Sequence, residues 1–594
     1  MAFFILLPNI FLNQLIEPEN SLKMFVFSSV SALCLLGCFF QKKQIADFKI
    51  PFLFLIALAF IVVKSIGIFF SYNKSEAIFD VLHWGLIWIT SIFIFNGFSE
   101  KIISEKLIAQ LSVFTTFLFL FWGIYSALPQ IELYFQKKQS LHIDYHFCST
   151  LGNKNFYAQT CFLLLPLLFI NFSKQTIFLR ILILLAIGTN IASILLLRSF
   201  SVYVAFLIAC LLLVFYFIQQ KKIVPLICIF AFAIATFFLI VKKTNTQFFQ
   251  KKLHEFSTLK TNDISTNSTS ERAMLWQTTW KMAKENPFGI GTCNWAIYYL
   301  KYAPDCAAIN NFGEMKYKRP HNEFLLTLAE NGWIGLLIFI SFFFMAAYQC
   351  ILIIKKNCNG FALLAMVLGF SIICLFDFPT QRFYGLQLFF IGIVLISFFV
   401  KDEKNIFSKT ISLRTKTFLI VSLLIAISTF SISAMRSQGE FLIYDMIQSR
   451  LEADWWRMNE DAKEASVVYY THDPVGQPTN WYRGSALMND NKLNEAKYFF
   501  YQSLQQNPFH FETWNDLGSC YERLGNDDSA LICFQRNLKF APHHPNSNYN
   551  AAFIFFKRKQ YDSAKYYYDK TIYKNLLFTK MLTDSLNGTS NSTK

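Results

Sequence analysis

Long apolar blocks separated by short polar breaks fill the first 434 positions of this chain. A helix that crosses ~30 Å of hydrocarbon needs roughly 20 residues at 1.5 Å rise each. Blocks near that length fall at 2–16, 22–40, 50–70, 80–97, 107–128, 156–171, 177–197, 200–218, 223–241, 324–354, 360–377, 382–400 and 417–434, with 2–16 and 156–171 the short ones. The pattern predicts a polytopic helical membrane protein of about 12–13 spans. Lys and Arg gather in alternate breaks: Lys42/Lys43/Lys49, Lys101/Lys106, Lys174/Arg180, Lys221/Lys222, Lys355/Lys356 and Lys401 to Lys416. Loops rich in Lys and Arg stay on the cytoplasmic side, which places the N-terminus inside. Lys137, Lys138 and Lys154 run against that pattern. The long segment 242–322 and everything after 434 then lie outside. Omitting the first span moves only the N-terminus.

Past 434 the pattern changes to one of mixed, helix-favouring residues with a period of 34. Ala462, Ala496, Ala530 and Ala564 keep that spacing, as do Pro474, Pro508 and Pro542, and Phe500, Phe534 and Tyr568. The unit from Trp514, with Leu517, Gly518, Tyr521, Ala530, Phe534 and Pro542, resembles a tetratricopeptide repeat. Small residues sit where paired helices approach, and aromatics fill the space between pairs. The fold class is therefore all-α, a membrane bundle followed by a helical solenoid. The expected domains are spans over 1–241, an outer loop over 242–323, spans over 324–434, repeats over 440–576 and a disordered tail over 577–594.

Composition agrees with the pattern. The chain is 54% hydrophobic and 18% aromatic, with a mean hydropathy of +0.36, which excludes an ordinary soluble globule. Its net charge of +16 lies mostly between apolar blocks, so membrane lipid headgroups rather than nucleic acid are the expected partners. The 13 cysteines include no CxxC pair and no zinc-like spacing. Cys293 and Cys306, both on the outer loop, leave a disulfide open. Residues 1–16 lack a basic start and a small-residue cleavage site, so no cleavable leader is expected.

Candidate chemistry gathers between Ser270 and Leu337. Arg272, Trp276 and Trp280 share one helix face by four-residue spacing. Gly289 and Gly291 follow Pro287 in a turn whose N–H groups either face an anion or simply end the helix. His321, Asn322 and Glu323 follow Pro320 at the start of an apolar helix; a His there is either an interfacial anchor or a proton acceptor. Arg198-Ser199 ends an earlier span at the same face, where an arginine either snorkels or binds substrate. Asn153 and Asn155 flank Lys154, to cap a helix or hold sugar hydroxyls. Asp377 and Arg382 flank Pro379 in a short outer turn and read as a structural ion pair. Arginine holds phosphate bidentately, and a neutral His accepts a proton from a hydroxyl. The set suits a substrate with a diphosphate and a reactive hydroxyl. It has no DxD-type acidic cluster, so no metal is expected.

The strings STLGNKNFYAQ, LLLRSFSVYVAF, ERAMLWQTTWKMAKENPFGIGTCNW and HNEFLLTLAENGWIGLL resemble the O-antigen ligase superfamily, over roughly 150–400. That superfamily includes O-antigen polymerases and bacterial protein O-oligosaccharyltransferases. The resemblance implies a GT-C-like inner-membrane glycosyltransferase working on the periplasmic side in lipopolysaccharide or cell-surface polysaccharide assembly. Its donor is a glycan on undecaprenyl diphosphate, used without cofactor, and its acceptor a glycan, lipid or protein hydroxyl. By the same resemblance His321 and Arg272 are catalytic. Arg198 contacts the diphosphate, although RSFS departs from the family's SRG-like string. Asn153, Asn155, Gly289, Gly291, Asn322, Glu323 and Glu330 match the pattern as binding or structural residues. The repeats offer a surface for a protein partner. Two other readings remain at this stage. One is a lipid-glycan transporter using Lys64 inside 50–70; the other is a scaffold that needs only the repeats. The transferase reading requires Arg272 and His321 to converge on one pocket.

Overall fold

The computed structural model describes residues 21–39, 47–137, 147, 149–219, 268–303, 317–401, 409–572 and 574–592. They form 21 α-helices and one two-stranded ribbon. Ten helices are long and apolar enough to cross a membrane. They are α1 (Ser21–Phe39), α2 (Phe52–Gly67), α3 (Lys74–Ser99), α4 (Glu105–Lys137), α6 (Ile177–Leu197), α7 (Phe200–Gln219), α10 (Glu323–Ile354), α11 (Asn359–Phe376), α12 (Phe383–Val400) and α13 (Thr415–Leu451). The expected span at 156–171 is α5 (Lys154–Phe169), only 16 residues long and buried along nearly its whole length. It packs against α4, α6, α11 and α12, so protein rather than lipid covers its apolar faces. The expected spans at 2–16 and 223–241, and much of 242–323, lie outside the described residues.

Two features depart from a plain helical bundle. Strand β1 (Phe48–Pro51) pairs antiparallel with β2 (Thr410–Leu413), Phe48 opposite Leu413, and ties the start of α2 to the start of α13. Helix α10 breaks inside its apolar run: Gly332 takes φ 66° and ψ −170°, which splits the helix in two. A broken helix leaves backbone groups without partners, which is costly away from water. The turn after α8 (Ser268–Glu285) fills the break. Ile290 and Gly291 donate N–H bonds to the carbonyls of Ala329 and Glu330 at 2.9 and 3.0 Å, and Trp333 donates to Pro287 at 3.1 Å. A Cβ on Gly289 would lie 2.4 Å from the Glu330 carbonyl oxygen, and one on Gly332 2.5 Å from the Phe288 backbone. Only glycine permits this backbone-to-backbone approach at these positive φ angles.

Beneath the turn, α2 and α3 bury an ion pair. Lys64 Nζ lies 2.8 Å from Asp80 Oδ2, and each side chain is 5% exposed. The sequence offered Lys64 as the ionisable residue of a transporter alternative; the structure gives it a partner on the neighbouring helix.

Helix α13 runs 37 residues, about 55 Å at 1.5 Å per residue, well beyond the hydrocarbon thickness. Its far half leaves the bundle and pairs with α14 (Trp455–Val467), so no linker separates membrane from repeats. Where it leaves, Arg436 pairs with Glu76 of α3 and, at 3.1 Å, with Glu440, which also bonds Ser21 of α1. Three helix pairs follow: α15 (Thr479–Asn489) with α16 (Leu493–Gln506), α17 (Phe511–Arg523) with α18 (Asp527–Phe540), and α19 (Pro545–Lys557) with α20 (Tyr561–Lys570). Gly484 backs directly onto the Phe500 ring, and Gly518 onto Phe534 one repeat later, as the spacing required. The expected disordered tail is instead helix α21 (Leu576–Ser592). Phe578 and Leu582 bury against Ala552, Ala564 and Tyr568, so this helix covers the apolar face that a last repeat leaves open.

Candidate active site

Four of the segments singled out in the sequence meet one short strip, Phe376-Asp377-Phe378, at the end of α11. The Phe376 ring lies 5.7 Å from Phe200, two residues past Arg198, and 6.2 Å from Trp276, one helical turn past Arg272. The Phe378 ring lies 5.1 Å from the His321 ring and 5.7 Å from Phe156, next to Asn155. Trp276 also donates its indole N–H to the Pro320 carbonyl at 2.9 Å, which fixes α8 to the residue before His321. Arg198, Arg272, His321 and Asn155 thus belong to segments gathered on one face of the bundle.

His321 sits in the left-handed region at φ 52°, an uncommon conformation for a residue with a Cβ. Asn322 behind it caps α10: its side chain accepts the Leu325 N–H at 3.0 Å. The His321 Nδ1 lies 3.7 Å from Asp377 Oδ1, with the imidazole 35% exposed and the carboxylate 5%. Asp377 is held on both oxygens, by Gln159 of α5 at 2.7 Å and by the Phe378 N–H at 3.0 Å. The carboxylate faces the imidazole at ion-pair rather than hydrogen-bond distance.

The sequence missed Asp377 as a partner of His321. Its nearness in the chain to Arg382 suggested a local ion pair, whereas the carboxylate turns to His321 and Gln159. The available signal was an acid between two aromatics, followed by Pro379, at the mouth of two spans. The Arg382 guanidinium lies over the Phe156 ring at 4.2 Å and near Phe378 at 5.3 Å; Arg319 lies 5.4 Å from Phe378. Two further guanidinium groups therefore border the His321–Asp377 pair.

Other expected binding residues take structural positions. Asn153 caps α5 by accepting the Asn155 N–H at 2.8 Å. Gly289 and Gly291 spend their N–H groups on Asn286 and Glu330, so neither faces an anion. Glu323 accepts both the N–H and the hydroxyl of Thr380, clamping the turn after Asp377. Glu330 accepts the Trp295 N–H at 3.1 Å. Arg198, at φ 52°, is exposed, and Arg272 is half-buried. Cys293 is a free thiol, pushed well above its ordinary pKa by burial; Cys306 lies outside the described residues. Among the described residues no group of three or more His, Cys, Asp or Glu is placed to hold a metal ion.

A comparison with protein families matches residues 161–340 to the O-antigen ligase family and residues 511–544 to a tetratricopeptide repeat. No curated protein matches the chain. Among solved structures, the chain is similar to the "Crystal structure of APC/C hetero-tetramer Cut9-Hcn1" at 13% identity and a TM-score of 0.24, over 86% of this chain and 93% of that one. A likeness at that score carries no argument. Residues 161–340, which hold Arg198, Arg272 and His321, thus match the O-antigen ligase family, in a multi-pass membrane protein that carries C-terminal tetratricopeptide repeats.

Proposed function

We propose that this protein is a glycosyltransferase that passes a glycan from undecaprenyl diphosphate to an acceptor hydroxyl, at the periplasmic face of a bacterial inner membrane. The observation that carries the reading is the His321–Asp377 pair bordered by guanidinium groups at the mouth of the bundle. The imidazole removes the acceptor proton as the hydroxyl oxygen attacks the anomeric carbon. The bond from that carbon to the diphosphate oxygen breaks, and the electron pair leaves with undecaprenyl diphosphate. Asp377 holds the ring and balances the imidazolium that forms. Arg272 and Arg198 neutralise the departing diphosphate, a task that in other transferases falls to a metal ion, so the reaction is read as metal-independent and cofactor-free. Its partners are membrane lipid, the lipid-linked donor and the acceptor, with the repeats as a further surface for protein. The favoured acceptor is a lipopolysaccharide core hydroxyl, as for a ligase; a growing glycan or a protein Ser/Thr defines the polymerase and oligosaccharyltransferase alternatives.

Kinetics of Asp377→Asn test the assignment. The change keeps the hydrogen bond from Phe378 and removes the charge. The expected result is a kcat lowered by about 10- to 100-fold, part of the roughly 10²–10⁴-fold that a general base contributes, with donor KM within about twofold. A wild-type kcat for a folded Asp377→Asn protein sinks the pairing.

A further inference from the structure

The repeat domain reaches back over the site. Its Phe511 and Ala541 share one apolar cluster with Trp295, Tyr299 and Leu300 of α9 (Trp295–Tyr302), and Phe509 meets the Tyr298 ring at 5.3 Å. With α13 running unbroken out of the membrane, two separate attachments fix the repeats against the bundle. Between them the segment 470–478 roofs a cavity of about 60 Å³.

That roof is rigid. His472 bridges to Pro478, Thr479 donates its N–H to Thr471, and Asp473 Oδ1 accepts the N–H groups of Val475 and Gln477, both at 2.9 Å. Tyr482 bonds the other Asp473 oxygen at 2.9 Å. Burial pulls the His472 pKa down to about 4, so the ring is neutral. Loops held this firmly on a scaffold serve to position a partner.

The cavity lining carries three cations, Lys318, Arg319 and Arg436, and three carboxylates, Glu76, Glu330 and Asp473. Arg436 is already matched by Glu76 and Glu440. A balanced lining does not attract a diphosphate; it suits a neutral group with both donors and acceptors to offer. At roughly 10–15 Å³ of accessible space per ordered water, the volume takes a few waters or the hydroxyl-bearing end of a longer molecule. Arg319 of the lining stands two residues before His321 in the chain; its guanidinium lies 5.4 Å from the Phe378 ring, and the imidazole lies 5.1 Å from the same ring.

Resting on the transferase reading above, we propose that this cavity receives the acceptor's hydroxyl-bearing end and that the repeat domain's 470–478 loop forms its outer wall, so that the repeats take part in choosing the acceptor. The test uses purified full-length protein with an undecaprenyl diphosphate-linked oligosaccharide. Glycan release to water is measured beside transfer to three probes: a lipid A-core, a free oligosaccharide and a Ser/Thr peptide. Pro474→Trp fills the cavity from the roof, and Ile532→Trp on an exposed repeat face is the size control. Pro474→Trp should lower transfer to the best probe at least tenfold through acceptor KM, with release to water within twofold and gel-filtration behaviour unchanged. Ile532→Trp should change neither. Equal losses of transfer and of release to water, or no loss of either, overturn the acceptor assignment alone. A wild-type protein inert towards the donor, in water and with every probe, overturns the transferase reading and this inference with it.

Discussion

His321→Ala should abolish glycan transfer while leaving the protein folded. A positioned general base contributes roughly 10²–10⁴-fold. The structural cost is small for three reasons. The imidazole is 35% exposed. Among the described residues its ring contact is with Phe378. The left-handed backbone at φ 52° is strained for histidine and alanine alike, so the change adds no new strain. Asn322, which starts α10, is untouched. Thermal unfolding in detergent should shift by no more than a few degrees as product falls below detection. Wild-type transfer by a folded His321→Ala protein removes the histidine from the chemistry and favours a scaffold.

Lys64→Met should have the largest effect on stability. Removing one partner of a buried ion pair strands the other charge away from water, at about 3–5 kcal/mol. Asp80 is only 5% exposed, and Lys64 is its ion partner across the α2–α3 contact. Restoring neutrality with Lys64→Met/Asp80→Leu should return most of that loss, since apolar packing replaces buried pairs at little net cost. Denaturant unfolding of the wild type and both variants in one detergent checks both halves. A transporter that uses Lys64 as a carrier charge gives the opposite pattern, loss of flux with unfolding unchanged. The lysine's backbone carbonyl also accepts the Thr292 hydroxyl at 2.8 Å. The pair therefore supports the turn that carries α9, and activity should fall with stability.

The membrane spans were legible in the sequence because hydropathy acts over whole helices, and the repeats because a period of 34 survives substitution within each unit. Arg272, His321 and Arg198 were legible as polar residues placed where apolar chain was expected. What stayed hidden depends on contacts distant in sequence. Asp377 finds Gln159 and His321 across the fold, whereas chain proximity pointed to Arg382. The break at Gly332 follows Glu330-Asn331, a polar interruption too short to end a span in the hydropathy pattern, and the inserted turn satisfies the backbone that it opens. For the same reason Gly289 and Gly291, for which the sequence left an anion cradle or a helix-ending turn open, serve that turn. Helix α13 continues past 434 because Arg436 and Glu440 neutralise each other at the boundary, so charge there does not end the helix. The tail folds because Phe578 and Leu582 close the last repeat, although the polar residues beyond them suggested disorder.

The central claim is that the His321–Asp377 pair transfers a glycan from a lipid diphosphate. Its most direct test is mass analysis of a lipid A-core acceptor after incubation with the purified full-length protein and an undecaprenyl diphosphate-linked oligosaccharide. The account predicts an acceptor heavier by one intact oligosaccharide, with free undecaprenyl diphosphate in equal amount and no product from His321→Ala. An acceptor of unchanged mass beside intact donor, or the same product from His321→Ala, contradicts it.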